Sequence, residues 1–443
     1  DDPAAFGARI DLFFGGGQYD HHRAFGRGLT VAPWPPDAEP EGLFRDARGR
    51  ELIPERVSGE IWRAPTYFGC ALSAFGICWN RDRIRALNVP PPAAWEDLAR
   101  PEFFRQIGAA DPTKSGSIAK AFEMIVHQQC RRAVGRAGFD AAQIAVFEAR
   151  YAATRNLAPG ARPDDVPAEY ADAVSNGWFE GLRLIQRIGA NARYFTDSAS
   201  KVPIDVAAGQ AAAGLAIDFY ARYQAQYSRD ADGVERLVYV TPPGGSSISA
   251  DPISLLRGAE HRALAVEFIR FVLGEEGQRL WNQRPGTPGG PVRFGLRRLP
   301  IRRDFYPSDD PEFQAAHAAR AAYTADNLAA PDINPFSLAE NFQYEARWTS
   351  RHFGVQRDIV KAMCLDSFDE LQAAWAAILA NGGPDAQPEA MAQLGAMPDR
   401  PEPLTWSSAL EIPRQYDRMD YLREWTEFFR ESYRKARRIA EGK

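Results

Sequence analysis

Lysine is scarce in this 443-residue chain: of 53 basic residues, 6 are lysine and 47 arginine. The arginines are scattered and the net charge is −5, so the basic stripe of a nucleic-acid-binding face is missing. Histidine is as rare, at 6 residues, and none has an evident nucleophile partner in sequence. Neither G-x-S-x-G nor H-E-x-x-H occurs, which leaves no motif for a serine hydrolase or a zinc protease. The acidic pairs Glu275-Glu276 and Asp309-Asp310 read as solvated helix and loop faces. Four cysteines, Cys70, Cys78, Cys130 and Cys364, form no C-x-x-C and lie at no zinc-site spacing from a histidine. Their apolar surroundings favour buried free thiols, with one disulfide as the alternative. No apolar run approaches the roughly 20 residues that span a bilayer. The chain opens Asp1-Asp2-Pro3, without initiator Met or signal peptide, as a processed protein or a fragment would.

What is present is a globular composition, 45% hydrophobic and 25% charged, at a length that calls for two or three domains. "RIDLFFGGG" (9–17) reads as a buried strand entering a glycine loop, and "TYFGCALSAFGICWN" (66–80) as a long β run. "WEDLARPEFF" (95–104) reads as a short helix stopped by Pro101. Long helices are expected over 169–189 and 417–440. "EHRALAVEFIRFVLGEEGQRLWN" (260–282) reads as one amphipathic helix with Leu264, Phe268, Phe271 and Val272 on one face. Ser367 with Glu370 has the form of a capping box, and "QPEAMAQLGAMPDRPEP" that of a proline-rich bridge. Strand and helix alternate through the first 280 residues, so the class is α/β with open sheets, in which ligands sit where loops leave the carboxyl ends of strands.

Three loops suit that position. In "AADPTKSGSIAKAF" (109–122), Thr113, Ser115, Gly116 and Ser117 surround the start of a helix. Its unpaired N–H groups, the hydroxyls and a glycine together suit an oxyanion, although Ser115 or Ser117 acting as a plain cap explains the same residues. It is no Walker A loop, since the order is K-S-G-S. "FGGGQYDHH" offers Gly16 and Gly17 as backbone donors; it is not a G-x-G-x-x-G, and the adjacent His21 and His22 point different ways, which disfavours a metal. Asp218 and Tyr220 follow an apolar strand and offer a carboxylate and a phenol to a ligand or a cation.

Five stretches, in order, resemble the periplasmic substrate-binding proteins of iron(III)/thiamine/polyamine-like ABC importers. They are "DLFFGGG", "LSAFGICWNRD", "WEDLARPEFFRQIGAADPTKSGSIAKAFEMIV", "VAAGQAAAGLAIDFYA" and "ADPISLLRGAEHRALAVEFIRFVLGEEGQRLWN". The resemblance covers roughly residues 9–290 and implies a type II periplasmic-binding-protein fold, two lobes with a ligand cleft. Lobe 1 would comprise 1–100 and 246–300, and lobe 2 would comprise 101–245. A helical C-terminal region, 301–443, would pack on the lobes through Trp375, Trp406, Trp425, Phe428 and Phe429. Only eight residues precede "RIDLFF", so the family's first strand–helix–strand is expected to be missing.

The implied function is the extracytoplasmic solute-binding component of an ABC transporter, a monomer that delivers a small anionic or metal-linked solute to permease subunits. It would be periplasmic or secreted, would use no cofactor or nucleic acid, and would not be an enzyme. A periplasmic enzyme or sensor module on the same scaffold is the alternative. The implied ligand residues are Gly16, Gly17, Ser73, Thr113, Ser115, Gly116, Ser117, Asp218, Tyr220 and Asp251, with Asp218 and Tyr220 as candidates for a metal. Iron-binding members present two adjacent tyrosines; here the place reads Phe219-Tyr220, and the single phenol speaks against bare ferric iron.

Overall fold

The computed structural model describes residues 10–35, 38, 40–158 and 160–443. They form two units, each assembled from three stretches of chain. The first takes the residues up to Phe75, then Ile217–Tyr227 and Ser247–Tyr344. The second takes Gly76–Ala216, Ser228–Ser246 and Glu345–Lys443.

The first unit carries β1 (Leu12–Phe14), β2 (Thr30–Val31), β3 (Arg56–Val57), β4 (Glu60–Ile61), β5 (Arg63–Ala64) and β6 (Tyr67–Ser73), and later β12 (Ser249–Leu256) and β13 (Leu299–Pro300). β6 and β12 are its spine, paired antiparallel from Ser73↔Ser249 to Tyr67↔Ser254. β1 and β2 pair with β12, and β5 and β13 with β6. β3 and β4 form a separate ribbon. Pro252 interrupts the β12 register at Asp251/Pro252, as expected of a residue without an N–H. All seven residues of β6 are buried, because both faces of the sheet are covered. Its helices are α1 (Gln18–Gly26), α7 (Asp218–Tyr227), α8 (Arg262–Leu273), α9 (Glu275–Asn282), α10 (Pro311–Ala321) and α11 (Pro335–Glu340). Trp62, Phe68, Leu72, Ile253 and Leu255 share a core with Ile269 and Leu273 of α8.

The second unit holds a five-stranded sheet of β7 (Phe75–Asn80), β8 (Ile107–Ala110), β9 (Ala192–Thr196), β10 (Ala213–Ile217) and β11 (Leu237–Val240). Its order is β11-β7-β10-β8-β9, with β8 parallel to both β9 and β10. Around it lie α2 (Arg81–Leu87), α3 (Gly116–Arg136), α4 (Ala141–Ala153), α5 (Ala168–Ala190) and α6 (Lys201–Ala207). From the last third of the chain come α12 (Ala346–Thr349), α13 (Phe353–Val360), α14 (Phe368–Ala380), α15 (Pro388–Leu394), α16 (Ser408–Gln415) and α17 (Arg418–Ala440). α3 and α5 pack at very short range. A Cβ at Gly177 would stand 2.4 Å from the Cys130 Cα, and one at Gly181 2.5 Å from the Val126 Cα.

Several elements differ from the sequence reading. The β run 66–80 is two strands, β6 and β7, which enter different sheets. The helix expected over 260–282 breaks at Gly274. α8 buries Ala265, Ile269, Val272 and Leu273, whereas Leu264, Phe268 and Phe271 are exposed. Apolar residues occur on both of its sides, so periodicity alone selected the wrong stripe. "WEDLARPEFF" forms two 3-10 turns, and the proline-rich bridge contains α15. Ser367 does not cap α14; its hydroxyl donates to the Ala362 carbonyl (2.8 Å). The unit boundaries fall at 75/76, 216/217, 227/228, 246/247 and 344/345 rather than at 100, 245 and 300. β7 pairs with β11, which draws residues 76–80 into the second unit, while Ile301, Phe305, Tyr306 and Leu328 complete the first unit's core. In the second unit Trp375, Trp425 and Phe429 are buried. The strand–helix–strand expected to be missing concerns the segment ahead of Ile10, which lies outside the described residues. The four cysteines are free and buried, and burial pushes the thiols up, that of Cys78 to about 12.

The α3–α5 contact yields a stability prediction. Gly177→Ala should destabilise the protein by about 1–3 kcal/mol, because the methyl group meets backbone that cannot yield. Urea denaturation should show a lower midpoint with an unchanged slope; an unshifted midpoint would mean that the helices separate freely.

Candidate functional site

The first unit gathers six of the ten expected residues at one edge of its sheet. β1 and β6 end there and β12 begins there, since both run antiparallel to β12. Gly15 and Gly16 have φ values of 85° and 81°, which favour glycine, and the Gly15 N–H donates to the Pro252 carbonyl (2.9 Å). Gly17 is the N-cap residue of α1, and both Gly16 and Gly17 are exposed. Ser73 ends β6; its fully buried hydroxyl has no hydrogen-bond partner among the described residues. Such an orphan costs about 1–3 kcal/mol. The next carbonyl, of Ala74, accepts from the Asp218 N–H (3.0 Å), which places the start of α7 beside the end of β6.

His21 braces the glycine loop. Its Nε2 lies 2.9 Å from the Gly15 carbonyl and its Nδ1 2.6 Å from the Ser254 hydroxyl. A carbonyl can only accept, so Nε2 carries the proton and Nδ1 accepts from Ser254. The ring stacks on Phe13 with centroids 4.0 Å apart. Both ring nitrogens are therefore engaged in holding the loop.

Asp218 is a buried structural anion. Its Oδ1 accepts from the Phe219 N–H (2.7 Å) and its Oδ2 from Arg222 Nη2 (3.0 Å). Burial raises its pKa, with Arg222 acting against the rise. Arg222 also faces Asp326 (3.5 Å), which Arg297 grips at 2.5 Å. Burial alone would raise Asp326, but Arg222 and Arg297 outweigh it and hold the carboxyl below its usual range. Asp251 pairs with Arg298, whose guanidinium lies 3.9 Å from the centre of the Phe219 ring. Burial raises Asp251, and Arg298 again opposes. Tyr220 is 37% exposed, with its ring 4.3 Å from that of Phe219.

The other four expected residues form the elbow between β8 and α3 in the second unit. Asp111 folds it: Oδ1 accepts from the Thr113 N–H (2.8 Å) and hydroxyl (2.7 Å), an Asx turn. Ser115 caps α3, accepting from the Ile118 N–H (3.3 Å). Lys114 pairs with Asp197 at 2.8 Å. From α13, Arg357 donates to the carbonyls of Pro112 (2.7 Å) and Thr113 (2.9 Å). The N–H groups of Gly116 and Ser117 and the Ser117 hydroxyl have no protein acceptor among the described residues. Nothing lies within 4 Å of where a Gly116 Cβ would stand. The elbow is therefore a fixed frame with a small open set of donors at the positive end of a 21-residue helix.

Sequence reasoning missed the arginines. Arg222, Arg297, Arg298 and Arg357 each hold a candidate residue or its carrier; Arg222 sits one turn from Asp218 on α7, whereas the other three come from other parts of the chain. The described residues contain no group of three or more His, Cys, Asp or Glu able to hold a metal ion. No helix among them is long and apolar enough to cross a membrane.

A sequence profile of the bacterial extracellular solute-binding protein family matches residues 83–284, the stretch that contains the elbow and α7. Over that stretch the chain thus resembles the class of proteins expected from its motifs. Among curated proteins it is similar to the phosphoglycerate transport regulatory protein PgtC of Salmonella typhimurium, 20% identical over 234 residues, 53% of this chain and 44% of that one. It spans less than half the length of that relative. Among solved structures, the periplasmic binding protein AfuA of Actinobacillus pleuropneumoniae matches at 17% identity and a TM-score of 0.42, over 61% of this chain and 65% of that one. The spermidine/putrescine ABC transporter substrate-binding protein PotD of Streptococcus pneumoniae matches at 12% and 0.45, over 81% and 86%. The ferric binding protein of Campylobacter jejuni matches at 16% and 0.41, over 79% and 84%.

The His21 brace sets a pH dependence. Burial lowers its pKa below 6.5, so the folded state favours the neutral ring. The stabilisation is present above pH 6.5 and is lost as the pH falls toward the lowered folded value. His21→Gln retains an amide donor for Gly15 but cannot titrate. Its urea-unfolding free energy should fall less than the parent's between pH 6.5 and about 5; parallel profiles would show that His21 carries none of this linkage.

Proposed function

We propose that this chain is the solute-binding component of an ABC importer, acting outside the cytoplasmic membrane without catalysis and delivering its solute to permease subunits. The solute is small and bears phosphate or carboxylate groups. The observation that carries this reading is the elbow: two N–H groups and the Ser117 hydroxyl stand free at the start of α3, on a frame pinned by Asp111 and Arg357. Helix N-termini of this kind hold anions through charge-assisted hydrogen bonds. The profile match, which includes this stretch, supports a transport role, and the phosphoglycerate transport protein is named for a solute of the same charge class. In the first unit, Gly16, Gly17, Ser73 and Tyr220 are the proposed contributors. Asp218 and Asp251 hold their neighbours in place through Arg222 and Arg298.

Native mass spectrometry of the purified protein should reveal a co-purified anionic solute. Titration calorimetry with phosphoglycerate and with inorganic phosphate then tests the elbow. Gly116→Val places a side chain in open space, so the fold survives while anion approach is blocked, and affinity should drop at least tenfold. Ser117→Ala should lose about one hydrogen bond, roughly tenfold in affinity. If both variants bind like the parent, the elbow is only a helix start. Ser115→Ala removes the cap and should cost about 1 kcal/mol of stability in urea denaturation. An equal loss from Ser117→Ala would show that Ser117 is structural too.

A further inference from the structure

The opposite edge of the second unit's sheet carries a feature that the elbow does not use. β8 and β9 are parallel, so their carboxyl ends lie toward the elbow and their amino ends lie at the other edge. At that other edge is a pocket of about 450 Å³ lined by Arg105, Gln106, Arg193 and Gln372. Two of these four residues are arginines and none is acidic. Arg105 sits in the turn that enters β8, with φ at 59°, a left-handed conformation costly for any residue with a Cβ. Its guanidinium lies 5.1 Å from the centre of the Phe104 ring. Arg193 is the exposed second residue of β9. Neither arginine has a carboxylate partner among the described residues, although other arginines of this unit do, such as Arg132 with Glu96 and Arg136 with Glu180.

The two amides leave this charge uncompensated. Gln106 Oε1 accepts from Arg83 (2.8 Å), while its amide nitrogen has no acceptor among the described residues. Gln372, on α14, donates to the Ala192 carbonyl (2.5 Å), which ties the helix to the start of β9. Two guanidinium groups sharing one concavity repel each other unless an anion lies between them. Guanidinium forks match the paired oxygens of phosphate and carboxylate.

We propose that this pocket is a second anion site, separate from the elbow, which takes a small oxyanion bearing phosphate or carboxylate groups between Arg105 and Arg193. Bound there, the anion links the turn before β8 to β9 beside the α14 tether, and so favours the folded second unit.

Equilibrium dialysis with labelled inorganic phosphate and with labelled citrate, at fixed ionic strength, tests this with four proteins: the parent, Gly116→Val, Arg105→Gly, and Arg105→Gly combined with Arg193→Gln. Glycine is at ease at φ 59°, so Arg105→Gly removes the guanidinium while relieving the backbone. Gly116→Val should keep the pocket's bound anion. Arg105→Gly should weaken that anion tenfold or more, the loss of one charge-assisted contact, and the double variant should abolish it. Phosphate and citrate each report on one of the two oxyanion types, and saturable binding of either that follows this pattern supports the site. The proposal is overturned if Arg105→Gly binds both anions as the parent does, or if Gly116→Val alone removes all binding. Because the elbow and pocket variants differ, failure of the elbow reading leaves this result legible.

Discussion

No atom larger than hydrogen fits on the face that α5 turns toward α3 at residues 177 and 181. That contact fixes the axis of α3 against α5 at backbone range, closer than any side-chain packing allows. The position of the α3 N-terminus follows from it, because the helix cannot slide or tilt without driving Cys130 or Val126 into α5. The Asx turn of Asp111 and the guanidinium of Arg357 then only have to shape five residues between a fixed strand and a fixed helix. The donors left open at Gly116 and Ser117 are rigid because of what stands behind them. Binding an anion on such a frame requires little ordering at the moment of capture.

The first unit solves a different problem. Its sheet edge brings acidic groups into an interior where a lone carboxylate would be expensive. Asp218, Arg222, Asp326 and Arg297 answer this as an alternating chain of charges, and Asp251 with Arg298 as a separate pair. Removing one member would strand its neighbour, which costs far more than the pair contributes. These groups are thereby committed to architecture.

The elements most legible in the sequence were those whose signals are local. The elbow and the long helices α5 and α17 can each be read from a few adjacent residues. The cap reading of Ser115 was legible for the same reason. What escaped depends on distant partners. Arg357 lies 244 residues from Thr113, and nothing in either stretch marks the other. α8 is apolar on two sides, so its buried stripe is decided by the sheet it meets, not by its own period. The β run 66–80 has no turn residue at Ala74 to announce that its halves join different sheets. Ser73 and Asp251 were named as ligands by resemblance; Asp251's engagement by Arg298 and the absence of a partner for Ser73 emerge only in three dimensions.

The interleaving of the two units has a consequence for biosynthesis. β1 leaves the ribosome more than two hundred residues before its partner β12. β6 waits for the same strand from Ser73 to Ser249, and the elbow waits for Arg357. The first unit's sheet cannot close until β12 has been made, and non-local pairings of this kind form slowly. The nascent polypeptide therefore exposes strands that end up buried, such as "YFGCALS", until β12 has been made, a state prone to aggregation and suited to capture by a holding chaperone.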